Sequence, residues 1–167
     1  MTETSPSFRP PAITLARLTD VPPGQILAHM SDPRVATHLP LMTEGWDAAM
    51  VRQFVEMKEA RWQQDGLGHW AFLADGAYVG WGGFEKEGEE WDLGLVLRPD
   101  CFGLGPRISR QLLEFARHDA RIPYVTFLLP PSRKSLGALP RMGARFLEEI
   151  DYDGTRFLKF RLETPQS

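Results

Sequence analysis

A mixed α/β (α+β) fold in a single domain is what this sequence predicts, and three observations predict it. Runs of strand length, either alternating or continuously apolar, recur between segments whose apolar residues repeat at helical spacing. The stretch LGLVLRPDCFGLGPRISRQLLEFARHD, residues 93–119, passes from a strand-like run through a loop holding Gly103 and Gly105 into a pattern with Ile108, Leu112 and Phe115 at helical spacing. Finally, 167 residues at 43% hydrophobic composition can bury one core of ordinary size, but not comfortably two.

The elements follow in order. Residues 1–11, MTETSPSFRPP, are polar and proline-rich and read as a loose tail, leaving a domain over 12–162 and a short tail over 163–167. ITLARL alternates and predicts a first strand. VPPGQILAHMSD predicts a short helix that stops before Asp32-Pro33, because the residue preceding proline is pushed out of the helical region. Met50, Phe54 and Met57 predict a second helix over 46–62. HWAFLADGAYVGWGGF contains two strands around Asp75-Gly76, a pair suited to a tight hairpin turn. A strand over 91–97, the glycine loop and a helix over 106–118 come next. YVTFLL reads as a buried strand, SRKSLGALPRMG as a short helix and TRFLKFRL as a last alternating strand.

The net charge of −3 provides no basic field for nucleic acid. One local imbalance stands out: Glu85, Glu87, Glu89, Glu90 and Asp92 face the single Lys86, which would favour a cationic ligand or else form a solvated hairpin tip. The lone Cys101 excludes an internal disulfide framework, no run approaches membrane-spanning length, and no signal-peptide pattern is present. A cytoplasmic protein, monomeric or homodimeric, is the expectation. His29, His38, His69 and His118 lack metal-ligand spacing, so no metal is expected.

A strand entering a helix through glycines aims the first free N–H groups of the helix at one point, an arrangement suited to phosphate. Gly103 and Gly105 would let a diphosphate approach the backbone. Pro106 fits the start of a helix but removes one donor. A tight turn without ligand is the plain alternative. The triphosphate-binding G-x-x-x-x-G-K-[ST] pattern and the G-x-S-x-G elbow of hydrolases are absent.

Four stretches in order resemble the GNAT superfamily of N-acetyltransferases, and in particular its ribosomal-protein-alanine acetyltransferase-like (RimJ/RimL-type) branch. LTDVPPGQILAHMSDPRVATHLP is similar to that branch's opening helix and loop, and GHWAFLADGAYVGWGGFE to its second and third strands. WDLGLVLRPDCFGLGPR resembles its E-I-G-Y-W-L-x-P-x-x-W-G-x-G signature, and PPSRKSLGALPRMGARF its later Pro-x-Asn-x-x-Ser motif. The chain departs from the pattern at Asp100, at Ser132 in place of Asn, at Leu139 where many members carry a Tyr acid, and at Pro106 and Pro140.

The resemblance implies a central, mostly antiparallel sheet of six to seven strands, splayed between strands 4 and 5 and flanked by helices. It implies acetyl-CoA as co-substrate and direct acetyl transfer to a primary amine, either a peptide or protein N-terminus or a small cationic amine. Asp92 matches the motif's Glu and would take the ammonium proton, through a bridging water because Asp is short. A backbone N–H near Leu95 or Val96 would meet the oxyanion. With Leu139 unable to protonate the thiolate, Ser135 is the nearest donor, although a serine there is also a simple helix cap. Leu95, Val96, Leu97, Phe102, Gly103, Leu104, Gly105, Arg107 and Ser132 would contact the cofactor, and His38 and Trp81 would line the acceptor pocket; core packing is the alternative for several of them. A catalytically idle CoA-binding module of the same fold is the competing reading.

Overall fold

The computed structural model describes residues 9–36, 45–131 and 142–166. After β1 (Ile13–Ala16) come α1 (Pro23–Met30), α2 (Pro33–Ala36) and α3 (Ala48–Asp65). Three consecutive strands follow, β2 (His69–Ala74), β3 (Ala77–Glu87) and β4 (Glu90–Leu97), and a 3-10 turn over Pro99–Leu104 runs directly into α4 (Gly105–Arg117). The chain closes with β5 (Tyr124–Leu129), β6 (Arg145–Tyr152) and β7 (Thr155–Glu163).

The seven strands make one sheet in the order β1-β2-β3-β4-β5-β7-β6, antiparallel everywhere except between β4 and β5. That parallel contact is confined to Trp91↔Val125 and Asp92↔Thr126. Beyond Asp92 the two strands diverge, while β4 stays paired to β3 as far as Leu97 and β5 to β7 as far as Leu129. This is the expected splay.

Strand alternation sends side chains to two separate cores. On one face Trp70, Phe72, Phe84, Trp91, Leu93 and Leu97 pack on Ile108, Leu112 and Ala116 of α4. On the other, Ala71, Tyr78 and Trp81 pack on Ile26 and Met30 of α1 and on Val51 and Phe54 of α3. The α3 helix begins at Asp47, whose carboxylate accepts the Met50 N–H at 2.8 Å, and ends at Gly66 in the left-handed region. Asp75 and Gly76 both take positive φ (49° and 83°), as their hairpin turn requires.

Several expectations are corrected. No strand is predicted between the short helix and the last strand, yet β6 is there. RFLEEIDY is exposed along almost its whole length, so it lacks an apolar alternation to read; its signal is Asp153-Gly154, a second pair with positive φ that closes a hairpin onto β7. The short α2 also goes unpredicted. Residues 164–166 are not a tail: Thr164 is buried and donates through its hydroxyl to the Ile122 carbonyl, and the Gln166 amide meets the carbonyls of Ala116 and Ile122. Pro11, placed in the opposite tail, accepts a hydrogen bond from Arg107. The helix expected in SRKSLGALPRMG, with Ser132 and Ser135, lies outside the described residues, as does His38.

Within the second core His29 Nδ1 lies 2.7 Å from the Tyr78 hydroxyl, and burial pushes the imidazole down to about 4. An unfolded chain would protonate it near 6.5, so its share of stability is complete above that value and is lost as pH falls towards 4. The unfolding free energy of the wild type should therefore drop by roughly 2–3 kcal/mol more than that of His29→Leu across this window, as measured by urea titration at several pH values. Parallel pH profiles for the two proteins would refute this.

Candidate active site at the splayed strands

The Arg98 N–H donates to the Val79 carbonyl at 2.8 Å, and no register shift interrupts the β3–β4 ladder. Antiparallel alternation then turns the backbone groups of Asp92, Gly94 and Val96 towards β3 and those of Leu93, Leu95 and Leu97 towards β5. Because β5 has already diverged, the Leu95 N–H opens into the gap, and it is Leu95 rather than Val96 that has an amide to offer there. The Val96 side chain is partly buried against the α1/α3 core, and Leu97 belongs to the α4 core.

Gly105 opens α4 beside this gap, where an added Cβ would lie 3.7 Å from Leu97 Cδ1 and 4.0 Å from Leu95 Cδ2. At Gly103 a Cβ would meet nothing within 4 Å. Neither glycine has a positive φ. Neither packing nor backbone strain requires glycine at these two positions, and both leave the backbone open to close approach by a ligand such as a diphosphate-bearing group. Phe102, 49% exposed, offers an apolar surface next to the gap, and Leu104 is partly buried against the core. The donor set is smaller than expected. The Gly105 N–H is already bonded to the Phe102 carbonyl, and Pro106 has none. Arg107, expected at a phosphate, gives its guanidinium to the Pro11 carbonyl. Arg34 of α2 reaches Asp100 in this loop at 3.7 Å, an exposed pair of little energetic weight.

Asp92 lies at the point of divergence, on the face opposite α4. Thr126 Oγ1 donates to its Oδ1 at 3.2 Å across the β4–β5 contact. Burial raises this carboxyl from 3.8 to about 7, Thr126 opposes the shift, and the charges of Glu87 and Glu85 add to it. Three other carboxylates of the acidic run are met by cations, and Glu89 is exposed at the hairpin tip. Glu85 meets Lys58 at 3.0 Å, Glu90 meets Lys159 at 2.7 Å and Glu87 meets Arg61 at 3.8 Å. Asp92 has no such ion pair among the described residues, and it is the buried one of the run's unpaired acids.

Two findings had no place in the sequence reading. Lys58 is buried in α3, its side chain 8% exposed, and its ammonium donates to His69 Nδ1 at 2.9 Å as well as to Glu85. Thr126 is the partner of Asp92. Trp81, expected to line the acceptor pocket, is instead a core residue: it is 5% exposed, packs edge-on with Phe54 and gives its indole N–H to Met30 Sδ. Among the described residues no cluster of three or more His, Cys, Asp and Glu could hold a metal ion.

The sequence profile of the acetyltransferase (GNAT) domain matches residues 13–145. The chain belongs to that family. Solved structures show the same fold at low sequence identity. An acetyltransferase from Agrobacterium tumefaciens str. C58 superposes with a TM-score of 0.73 at 20% identity, covering 98% of this chain and 97% of that one. The aminoglycoside acetyltransferase AAC(6')-Ib in complex with coenzyme A gives 0.73 at 12% identity, covering 91% and 95%. Spermidine N-acetyltransferase from Vibrio cholerae, in complex with CoA and spermine, gives 0.71 at 7% identity over 91% and 95%.

The raised Asp92 has a thermodynamic consequence. The folded GNAT domain holds a proton that the unfolded chain releases near 3.8, so the stability contributed by Asp92 is complete below that pH and is lost as pH rises to about 7. Asp92→Asn should be more stable than the wild type above pH 7, by on the order of 2–3 kcal/mol, with the advantage vanishing near pH 4. Differential scanning calorimetry at both pH values checks it; an equal advantage at both would show that Asp92 is not desolvated.

Proposed function

We propose that this protein is an acetyl-CoA-dependent N-acetyltransferase that delivers the acetyl group directly to a primary amine. The supporting observation is Asp92: a carboxyl without an ion-pair partner among the described residues, raised to about 7, at the point where β4 and β5 part. An ammonium must lose its proton before it can attack a thioester, and a base poised near neutral pH does this best. Asp92 accepts that proton through a bridging water. The Leu95 N–H is directed to the developing oxyanion, where a preorganised donor is most effective.

Val96 and Leu97 carry the backbone past the pantetheine arm, Phe102 and Leu104 give it apolar cover, and Gly103 and Gly105 allow the diphosphate to approach. Arg107 joins that contact only by releasing Pro11. Ser132 and Ser135 are assigned by motif alone, to the pantetheine amide and the departing thiolate, and His38 to the acceptor side. The order of the motifs resembles that of the RimJ/RimL-like branch, which supports a peptide or protein N-terminus as one acceptor class. The spermidine and aminoglycoside acetyltransferases of like fold support small cationic amines as the other acceptor class. A non-catalytic CoA-binding domain is the second reading, favoured by Leu139, which stands where many members of the family carry a Tyr acid and cannot protonate the thiolate, and by Ser132 in place of Asn and by Pro106.

Thiol release from acetyl-CoA should depend on an added amine when spermidine, an aminoglycoside and an alanyl peptide are screened; CoA binding without such release supports the second reading. Asp92→Asn should lower turnover by roughly 10²-fold at neutral pH, with little change in acetyl-CoA affinity and a smaller deficit at high pH. An undiminished rate removes Asp92 from the chemistry. Gly105→Arg should abolish the thermal stabilisation by CoA, which at about a hundredfold excess over Kd amounts to roughly 2.7 kcal/mol in the wild type. Stabilisation retained by the variant contradicts the diphosphate site.

A further inference from the structure

The polar line on the α3 side of the sheet does not stop at Asp92. Glu85 is its direct partner in the β3–β4 ladder, so the two carboxyls project from the same face at adjacent positions. Glu85 in turn is held from behind. Lys58 Nζ lies 3.0 Å from its Oε2, and the same ammonium is anchored at 2.9 Å on His69 Nδ1 from β2. All three side chains are nearly enclosed, at 8%, 16% and 7% exposure for Lys58, Glu85 and His69. The Lys58 ammonium also sits 4.9 Å from the centre of the Trp81 ring, a cation–π contact. An ammonium has no acceptor capacity, so Nδ1 accepts and the imidazole carries its proton on Nε2.

Building on the reading of Asp92 as the proton acceptor, we infer that Lys58 and Glu85 are positioning residues for it. Lys58, anchored on His69, holds the Glu85 carboxyl opposite Asp92 in an ion pair, and this leaves Asp92, the member without a counter-ion among the described residues, to take and release the proton. Two adjacent carboxyls otherwise share one proton ambiguously; giving one of them a buried counter-ion separates their roles. The directions agree. Burial and the Lys58 charge drive His69 well below the ordinary imidazole range, so it remains a neutral acceptor, and Glu85 restrains the fall that burial imposes on Lys58.

Other charges face Asp92 as well. Glu87 on β3 acts in the same sense as Glu85 and somewhat more strongly, and Lys159 on β7 acts against both. Arg61 of α3 is engaged with Glu87, Glu90 on β4 itself is engaged with Lys159, Tyr152 of β6 couples weakly, and β5 contributes only the uncharged Thr126. Of these, Glu85 alone combines direct cross-strand opposition with a buried counter-ion.

The test needs no acceptor. In full-length protein labelled with 13C at the aspartate side-chain carboxyl, the Asp92 resonance is identified by its loss in Asp92→Asn and is titrated against pH. Glu85→Gln removes the opposing charge and should move the Asp92 midpoint down, by less than burial raises it. Lys58→Met strips the pair of its counter-ion and should move its upper titration step up. A side chain that merely supports packing would not give shifts of opposite sign. An unmoved midpoint in Glu85→Gln overturns the inference, and if circular dichroism finds Lys58→Met unfolded, Glu85→Gln decides alone. Acceptor-dependent thiol release by Asp92→Asn is measured alongside. Undiminished release fails the base assignment itself, whereas lost release with an unmoved midpoint fails only the positioning role.

Discussion

The site depends on how little of β4 is paired to β5. Two residue pairs, Trp91↔Val125 and Asp92↔Thr126, hold the halves of the sheet together, and past them each strand keeps only its outer neighbour. Continuous pairing would consume the Leu95 amide and leave no room for a ligand between the strands. Separating the strands earlier would remove Thr126 from Asp92 and let water into the α3 face. Placing the parting point at Asp92 satisfies both requirements: a desolvated carboxyl on one side and an unpaired amide three residues later.

The cores on either side keep that gap from closing. Packing of α4 against Trp91, Leu93 and Leu97 holds β4 from one face, and α1 and α3 hold β3 from the other through Trp81 and Tyr78. Close approach between β3 and β4 depends on glycine: a Cβ on Gly82 would come within 2.3 Å of the Gly94 carbonyl oxygen, and one on Gly80 within 2.5 Å of that of Val96. Side chains at these two positions would push the ladder apart and shift the Asp92 and Leu95 backbone, far from any ligand.

Electrostatically, the face around Asp92 is arranged by neutralisation more than by accumulation of charge. A sequence rich in Glu between residues 85 and 92 suggests a cation-binding face or a solvated tip, yet Lys58 and Arg61 of α3 and Lys159 of β7 meet three of those carboxylates. What remains is one desolvated acid, whose proton affinity reflects burial first and neighbouring negative charge second.

The elements that carry the proposed chemistry were legible by themselves. Periodicity marks α3 and α4, Asp75-Gly76 marks the β2–β3 turn, and the ordered motifs imply the splayed sheet and single out Asp92 and the two glycines. Strand β6 was not legible, because an edge strand exposed on both faces needs no apolar alternation. The roles of Trp81, Arg107 and Lys58 were equally hidden: whether an indole lines a pocket or fills a core, whether a guanidinium meets phosphate or Pro11, and whether a lysine is solvated or buried all depend on contacts between residues tens of positions apart. The sequence by itself determined which local elements form and which residue types stand at the strand–helix junction, since these follow from spacing and backbone preference. Only the tertiary structure decided which acid lacks a counter-ion and which amide lacks a strand, since both follow from what the fold brings alongside.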